Sequence, residues 1–259
     1  MKKFDIIPDK NEKPLDRLVE GYSNTAMFRK IAFVGDSLSS GEFESHVEGR
    51  GVRYYDMYEH SWGQYIARCN GSVAYNFSCG GMSTKGFDSF ADWHMMWSRE
   101  KAAQAYVIAL GVNDVYNGAV KDFGSIDDID VTDWRRNAET YMGYYGKIIS
   151  KFKEISPDAK FFLVTFPNEP DKNREVTERM VDAMYSIAEK FDNTYVIDLY
   201  HYGPVYDAEF KRRYYYHTHM SPAGYILTAK LVDSYIDYII RHNPDEFKAA
   251  GFIGTGIEY

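Results

Sequence analysis

Four short blocks of the sequence contain residues that together could cleave or transfer an acyl group. These residues are a serine in a Gly-Asp-Ser turn, a tandem glycine, an asparagine in an Asn-Asp pair and a histidine, namely Ser37, Gly80, Gly81, Asn113 and His219. A serine hydroxyl is a poor nucleophile until a neighbouring histidine removes its proton. The tetrahedral oxyanion formed by its attack needs fixed hydrogen-bond donors, which a backbone N–H in a glycine turn and an asparagine amide provide. These residue types therefore predict nucleophilic chemistry at an acyl carbon.

Five short apolar segments are predicted to form the strands that position these residues. Each is rich in Val, Ile, Phe or Tyr and shows little polar alternation, which is typical of strands buried on both faces. They span residues 31–35, 73–77, 105–110, 160–165 and 194–199. Segments between and after them have apolar residues every three or four positions, which predicts helices over 133–154, over 175–191 and from Pro222 onward. The alternation predicts an α/β fold with a parallel sheet covered on both faces, a three-layer αβα arrangement.

The candidate residues fall where such a fold binds its ligands. An open parallel sheet holds its ligand beyond the carboxyl ends of the strands. Ser37, Gly81 and Asn113 each follow one of the first three predicted strands, and His219 precedes the last helix. All four residues are therefore expected at one edge of the sheet.

The same blocks, in the same order, resemble those of the SGNH (GDSL-type) hydrolases. The sequence reads GDSLS at 35–39, N-x-S-x-x-G at 76–81, GxND at 111–114 and His-x-x-Pro-x-Gly-Tyr at 219–225. The resemblance extends over most of the chain, from Lys30 to Ile240. It implies the family's flavodoxin-like sheet of five parallel strands and a reaction that needs no metal or organic cofactor.

The resemblance also implies a role for each candidate residue. Ser37 corresponds to the family's nucleophile and His219 to its base. Gly81 and Asn113 correspond to the residues that complete the oxyanion hole with the N–H of the serine. Gly80 is the alternative to Gly81, because the tandem glycines leave the register open by one residue.

One position departs from the family pattern. The family usually has an aspartate three residues before the histidine, where its carboxylate orients the imidazole, and this sequence has Tyr216 there. A backbone carbonyl, a carboxylate from elsewhere such as Asp198 or Asp207, or no group at all could take its place. His219 also lies just before the cap of the last helix, whose dipole disfavours an imidazolium, so the base is expected to be neutral near pH 7.

A single domain over residues 1–259 is predicted, since no repeat, low-complexity tract or linker divides the chain. Residues 1–28 are predicted to form an N-terminal arm. Residues 39–61 contain several charged and few apolar residues, which predicts a long loop over the site. Aromatic residues lie near both ends of the site and could border it or pack in the core: Tyr54, Tyr55, Tyr58, Trp62, Tyr214, Tyr215 and Tyr216.

The composition limits the partners and the location of the protein. The net charge is −8, which argues against nucleic-acid binding because that requires a basic surface. Two cysteines cannot form a disulfide framework. No apolar segment is long enough to be a signal peptide or to cross a bilayer. A soluble, cytoplasmic protein with no membrane partner is therefore expected.

Together these points predict a serine esterase that hydrolyses small acyl esters. Acetyl esters are favoured, for example on a carbohydrate, since tyrosines surround the expected site. One alternative is an acyltransferase that uses the same site. Another is a non-catalytic ligand-binding module on the same fold. In that case the missing aspartate would indicate that the catalytic triad has been lost. The presence of Ser37, Asn113 and His219 together argues against such a module, because a lost site has no physical need for all three.

Overall fold

Nine strands and ten α-helices make up the part of the protein that the structure describes. This computed structural model describes residues 8–257. The strands are β1 (Lys30–Gly35), β2 (Glu42–Val47), β3 (Gly51–Asp56), β4 (Val73–Ser78), β5 (Ala105–Ala109), β6 (Lys160–Val164), β7 (Thr194–Ile197), β8 (Tyr215–Tyr216) and β9 (His219–Met220). The helices are α1 (Ser37–Ser40), α2 (Trp62–Asn70), α3 (Thr84–Trp93), α4 (Val112–Val115), α5 (Tyr141–Ile155), α6 (Arg174–Lys190), α7 (Leu199–Tyr202), α8 (Ala208–Tyr214), α9 (Pro222–His242) and α10 (Pro244–Phe247).

The five predicted strands form one parallel sheet in the order β4-β1-β5-β6-β7. Each lies within two residues of its predicted bounds. The α/β fold and its five-stranded parallel sheet are thus confirmed. Strand β1 lies between β4 and β5, so the first three strands along the chain are neighbours in the sheet.

The sheet separates two apolar cores, which explains why its strands show little polar alternation. Along β1, Ala32 and Val34 face a core formed with α3, α5 and α6. Ile31 and Phe33 face the opposite core, formed with α2 and α9. Because successive side chains of a strand point to opposite faces, a strand covered on both sides must be apolar at every position.

Side-chain caps decide where the long helices begin. Pro222 is the first residue of α9, and Ser221 Oγ caps it by accepting a hydrogen bond from a backbone N–H. The helix predicted from residue 133 instead begins at residue 141, because Thr140 caps α5 and residues 134–136 form a separate 3₁₀ turn. Helix α6 agrees with its prediction to within one residue. In residues 8–257 no helix is both long enough and apolar enough to cross a membrane.

Residues 39–61 do not form the predicted loop. Strands β2 and β3 pair antiparallel as a hairpin, with Glu42 opposite Asp56 and Val47 opposite Gly51. The hairpin lies outside the central sheet, and of its side chains Phe43 packs against the core on the α2 and α9 side. It therefore keeps polar side chains at positions where a core strand would be apolar, and its composition resembles that of a loop. The hydroxyl of Tyr225 on α9 donates a hydrogen bond to the Glu42 carbonyl at 2.8 Å and so ties the hairpin to the domain.

The described part of the predicted N-terminal arm, residues 8–28, contacts helix α9. Arg241 forms an ion pair with Glu12 at 2.7 Å. Ser23 Oγ donates a hydrogen bond to the buried carboxylate of Asp233 at 2.8 Å. Residues 1–7 lie outside the described residues. The contacts hold the arm against the helix that follows His219.

The close approach of α2 to β1 yields a stability prediction. A methyl carbon at Gly63 would lie 2.5 Å from the ring of Phe33, which is itself fully buried. Alanine is the better helix former by up to about 1 kcal/mol, but overpacking a core costs about 1–3 kcal/mol. We therefore expect Gly63→Ala to lower the free energy of unfolding measured in urea.

Gly251→Ala is the control, because the added carbon would lie 3.5 Å from its nearest neighbour, an ordinary contact. A Gly63→Ala protein as stable as Gly251→Ala would show that α2 shifts freely against the sheet.

Candidate active site

Ser37, Gly81, Asn113 and His219 line one cleft at the carboxyl edge of the sheet. Ser37 begins α1, and only Asp36 separates it from the end of β1. Gly81 follows β4, and Asn113 follows β5. His219 is the first residue of β9, the short strand that precedes α9. The structure thus brings together the four residues that the sequence predicted, and Gly80 lines the same cleft.

Ser37 lies in the tight connection between β1 and α1. The buried side chain of Asp36 caps α1 by accepting a hydrogen bond from Leu38 N–H at 3.0 Å. The Ser37 carbonyl accepts bonds from Ser40 Oγ and Gly41 N–H. The Ser37 hydroxyl has no hydrogen-bond partner among residues 8–257. Its backbone is therefore fixed, while its Oγ is available to a ligand in the cleft.

The tandem glycine forms a turn closed by a hydrogen bond from Met82 N–H to the Cys79 carbonyl at 3.2 Å. Gly81 has a φ of 71°, a left-handed conformation that favours glycine. A side chain at Gly80 would collide with the carboxylate of Glu42. No described residue accepts a hydrogen bond from the N–H of Gly80 or from that of Gly81. The turn therefore has two free backbone donors.

The Asn-Asp pair after β5 orients one donor and fixes the glycine turn. Asn113 Nδ2 donates to the Met82 carbonyl at 2.9 Å, and its Oδ1 accepts from Asn117 at 2.7 Å. These bonds fix the amide orientation, and Nδ2 also makes a long contact of 3.5 Å with Asp36 Oδ2. Asp114 accepts hydrogen bonds from Thr84 N–H at 2.9 Å and Thr84 Oγ1 at 2.6 Å. Asp114 therefore holds the start of α3, directly after the glycine turn.

Two glutamates of the hairpin contact the two nitrogens of His219. Glu44 Oε1 lies 2.6 Å from Nδ1, and Glu42 Oε1 lies 3.0 Å from Nε2. Both glutamates are on β2, two residues apart, so their side chains point to the same face of the strand. The ring of Tyr54 on β3 lies edge-on to the imidazole at 5.7 Å between centroids. In this arrangement Nε2 lies 3.0 Å from Glu42 Oε1 and makes no hydrogen bond to Ser37.

Neither aspartate suggested by the sequence reaches His219. The buried Asp198 accepts a hydrogen bond from Tyr185 and pairs with His201 at 2.7 Å. Asp207 instead caps helix α8. Sequence reasoning missed Glu44, because the contact joins residues 175 positions apart and depends on how the hairpin folds back. Recognising the alternation in β2 would have placed Glu42 and Glu44 on one face, but not beside the histidine.

The two glutamates have opposite pKa shifts. Burial alone would raise the pKa of Glu44. Hydrogen bonds from Thr218, His46 and His219 outweigh this effect and lower the pKa of Glu44 to about 2. Burial raises the pKa of Glu42, more than the neighbouring His219 lowers it. Glu44 is therefore a carboxylate across the physiological pH range, whereas Glu42 binds a proton more readily than an ordinary glutamate.

These carboxylates change the electrostatic expectation for His219. Charges about 4 Å apart interact by about 4 kcal/mol near a protein surface, whereas a helix dipole contributes about 0.3–1 kcal/mol. The expectation from the dipole of α9 did not include these two carboxylates, which lie against both ring nitrogens.

Only part of the predicted aromatic clusters borders the cleft. Tyr54 and Tyr215 line it. Trp62 is buried and packs edge-on against Phe33 at 5.1 Å, as a core residue. His217 stacks on another histidine, His46. Within the described ranges, no group of three or more His, Cys, Asp or Glu side chains is placed to hold a metal ion.

A flavodoxin-like sheet whose strand ends carry a serine, a glycine turn, an asparagine and a histidine defines a hydrolase of the SGNH type. The sequence bears this out, because residues 33–227 match the GDSL-like lipase/acylhydrolase family. The chain belongs to that family and is a carboxylic ester hydrolase.

Solved structures of esterases share this fold. A family two carbohydrate esterase from Clostridium thermocellum, in complex with cellohexaose, is 16% identical with a TM-score of 0.59, over 88% of this chain and 67% of its own. An esterase from Pseudoalteromonas sp., inhibited by monoethylphosphonate, is 15% identical with a TM-score of 0.53, and the match covers 82% of this chain and 98% of that esterase. An acetyl xylan esterase is 17% identical with a TM-score of 0.52, and the match covers 80% of this chain and 99% of that esterase. At these identities the likeness concerns the fold. No curated protein sequence matches the chain significantly.

The buried carboxyl of Asp36 predicts a pH-dependent stability. Burial raises the pKa of Asp36 to about 7, whereas an aspartate in an unfolded chain titrates near about 3.9. Between these values the folded protein holds a proton that the unfolded chain has lost, so this group makes stability fall as pH rises. We expect Asp36→Asn to gain stability relative to wild type between about pH 4 and pH 7, by an amount on the order of a few kcal/mol.

Urea unfolding at several pH values measures this difference. Asp207→Asn is the matched control, because Asp207 also caps a helix but is exposed. If the free energy of unfolding changes with pH in the same way for wild type and Asp36→Asn, the raised pKa of Asp36 is contradicted.

Proposed function

We propose that the protein is a serine esterase in which Ser37 is the nucleophile and His219 the general base. The observation that carries the proposal is the convergence of Ser37, Gly81, Asn113 and His219 on one cleft. A free hydroxyl, two fixed donors and an imidazole are the groups that ester cleavage requires.

The reaction follows from these groups in two halves. Ser37 Oγ bonds to the acyl carbon while His219 Nε2 takes the hydroxyl proton, and the carbonyl π electrons move onto oxygen. The tetrahedral intermediate collapses, the bond to the leaving alcohol breaks, and His219 returns the proton to that alcohol. Water then attacks the acyl-serine in the same way and releases the carboxylic acid. Since Nε2 contacts Glu42 at 3.0 Å in the structure, it must exchange this partner for Ser37 before the first step.

The oxyanion would bind the N–H groups of Ser37 and Gly81 and the N–H of Asn113 Nδ2, which would exchange its long contact with Asp36 Oδ2, at 3.5 Å, for the substrate oxygen. Gly81 is preferred over Gly80 because the glycine of the N-x-S-x-x-G block at 76–81 falls on it, and its N–H has no acceptor among the described residues. Donors held by other hydrogen bonds need little reorganisation when charge develops on the oxygen.

An apolar cavity of about 90 Å³ adjoins the cleft and supports a small acyl group as substrate. The two spaces share Leu38, Val112, Phe166 and Tyr215. Leu38 follows the nucleophile and Val112 precedes the candidate oxyanion donor, so the acyl tail of a bound ester would enter this cavity. A cavity of this size has room for a short acyl tail but not for a long one.

The opposite side of the cleft is polar and suits a hydroxyl-rich alcohol. Tyr54 and Tyr116 line it together with Glu169, Asp171 and Lys211. Tyrosine rings with polar edges pack on sugar faces, and charged groups bond hydroxyls. The cellohexaose bound to the Clostridium thermocellum esterase, a protein of the same fold, is consistent with an acylated carbohydrate as substrate.

Hydrolysis of p-nitrophenyl butyrate tests the assigned roles. Ser37→Ala removes the nucleophile and should reduce turnover to the buffer rate. Asn113→Ala removes one oxyanion donor and should lower kcat by about 10²–10³-fold with little change in KM. Equal rates for wild type and Ser37→Ala would remove the esterase proposal and leave a ligand-binding module.

The side cavity predicts the preferred acyl length. Each methylene buried contributes about 0.8 kcal/mol, or about fourfold in kcat/KM, until the cavity is full. Among p-nitrophenyl esters we therefore expect kcat/KM to rise from acetate to butyrate and to fall for octanoate.

Met180→Ala supplies the matched test, because Met180 lines the cavity, whereas Met184, one turn further along α6, lies in the core on the α6 side of the sheet. Both variants lose about 2–5 kcal/mol of stability. Only Met180→Ala should move the preferred chain length upward, by about two carbons. The same shift of preferred chain length in Met184→Ala would show that the acyl tail does not enter this cavity.

An acyltransferase would use the same residues with an alcohol in place of water. Added methanol or glucose would then divert the acyl group into a new ester without reducing release of p-nitrophenol. Carboxylic acid as the only product would favour hydrolysis.

A further inference from the structure

We propose that Glu44 of the β2–β3 hairpin does the work of the aspartate missing at Tyr216, orienting His219 and stabilising its cation. The inference rests on the proposed function, because it concerns the base of that reaction. Glu44 is a positioning residue, since it would act through His219 and touch no reacting atom.

The geometry of the contact is that of an orienting carboxylate. Glu44 Oε1 lies 2.6 Å from His219 Nδ1, and both side chains are largely buried. Charge-assisted hydrogen bonds have this length and are stronger than neutral ones. Tyr216, in contrast, is exposed and pairs with His219 only through the backbone of β8 and β9.

Glu44 is itself fixed by other hydrogen bonds. Its Oε1 accepts from the N–H of Thr218 at 3.0 Å and from the hydroxyl of the same residue. Its Oε2 pairs with His46 Nε2 at 2.8 Å. A carboxylate held from several sides keeps one orientation, which is what a residue that positions a catalytic base requires.

The ionised Glu44 also selects the tautomer of the base. A carboxylate only accepts, so Nδ1 must carry the proton. The neutral ring then has its lone pair on Nε2, the nitrogen that must accept the Ser37 proton. Glu42 Oε1 lies 3.0 Å from Nε2 and must move aside before Nε2 accepts from Ser37.

Several charged and polar groups face His219. Glu42 and Glu44 approach from β2, and Tyr54 from β3. Asp36 at the end of β1 interacts with the imidazole electrostatically. Among these groups only Glu44 acts at Nδ1, apart from the Thr218 hydroxyl at 3.1 Å. Its removal should therefore affect the tautomer as well as the charge.

Kinetics of Glu44→Gln over pH 4–10 on p-nitrophenyl butyrate test the role. We expect the plateau kcat to fall by about 10²–10⁴-fold, in the range seen when a triad acid is neutralised. The acidic limb of kcat/KM should move to lower pH, because the imidazolium loses its counter-charge. Glu44→Asp keeps the charge and should recover part of the loss. Glu48→Gln is the matched control, since Glu48 is exposed in the turn of the same hairpin, and it should behave as wild type.

Wild-type kcat and an unmoved acidic limb in Glu44→Gln would overturn the proposal. So would an equal fall of the plateau in Glu42→Gln, because that would assign the orienting role to the pair. Thermal unfolding of each variant checks folding. If Glu44→Gln does not fold, Glu44→Asp decides, because the shorter carboxylate should leave part of the loss in kcat, whereas a purely structural role predicts the kcat of wild type in the folded variant.

Nitrogen-15 NMR of the histidines separates this proposal from the esterase proposal. Neutral His219 should carry its proton on Nδ1 in wild type and lose that preference in Glu44→Gln, whether or not the protein turns over an ester. An Nε2–H tautomer in wild type would overturn the role of Glu44. If turnover does not depend on Ser37 while His219 has the Nδ1–H tautomer, the esterase mechanism is wrong. The role of Glu44 in positioning His219 would still stand.

Discussion

The common direction of the sheet strands is the constraint on which the site depends. Because β4, β1 and β5 are parallel neighbours, the connections that follow them emerge at one edge. β1 is the middle strand of the three, so Ser37 lies between the connection with Gly81 and the connection with Asn113. The apolar packing that covers both faces of the sheet thereby fixes how far Ser37 lies from Gly81 and Asn113. The polar residues of the site contribute little to the packing of the sheet, and the sheet determines where they lie.

The hairpin adds to this frame from outside the sheet. It supplies Glu42 and Glu44 to a histidine that comes from the opposite end of the chain. Its attachment is local, through Tyr225 on α9 and through the bond between Ser40 Oγ and Asp56. The orientation of the histidine is therefore coupled to the docking of a small hairpin as well as to the core. A movement of the hairpin would therefore change the orientation of His219.

The carboxyl groups around the imidazole differ in what holds each one. Asp36 is buried and bonds a helix N-terminus, and its pKa is raised to about 7. Glu44 is surrounded by donors, and its pKa is lowered to about 2. Glu42 lies between these cases, because burial raises its pKa while His219 opposes the shift. The charge state of the cleft near neutral pH thus depends on donors and burial more than on the number of acidic residues, and coupled protons are to be expected.

The sequence by itself determined the strands, the fold class and the four candidate residues. Short apolar segments and helix caps are local signals, and Ser37, Gly81, Asn113 and His219 each follow or precede an element that such signals predict. Residues 39–61 carried no such signal, because a hairpin without a buried sheet face has the composition of a loop. Only the tertiary structure decided the partner of His219, since Glu44 is 175 residues away and reaches it through the fold of that hairpin. The side cavity likewise forms where separate elements meet at the ends of β1, β5 and β6, and no local pattern encodes its volume. Contacts between distant segments depend on how the whole chain packs, which periodicity along the sequence does not record.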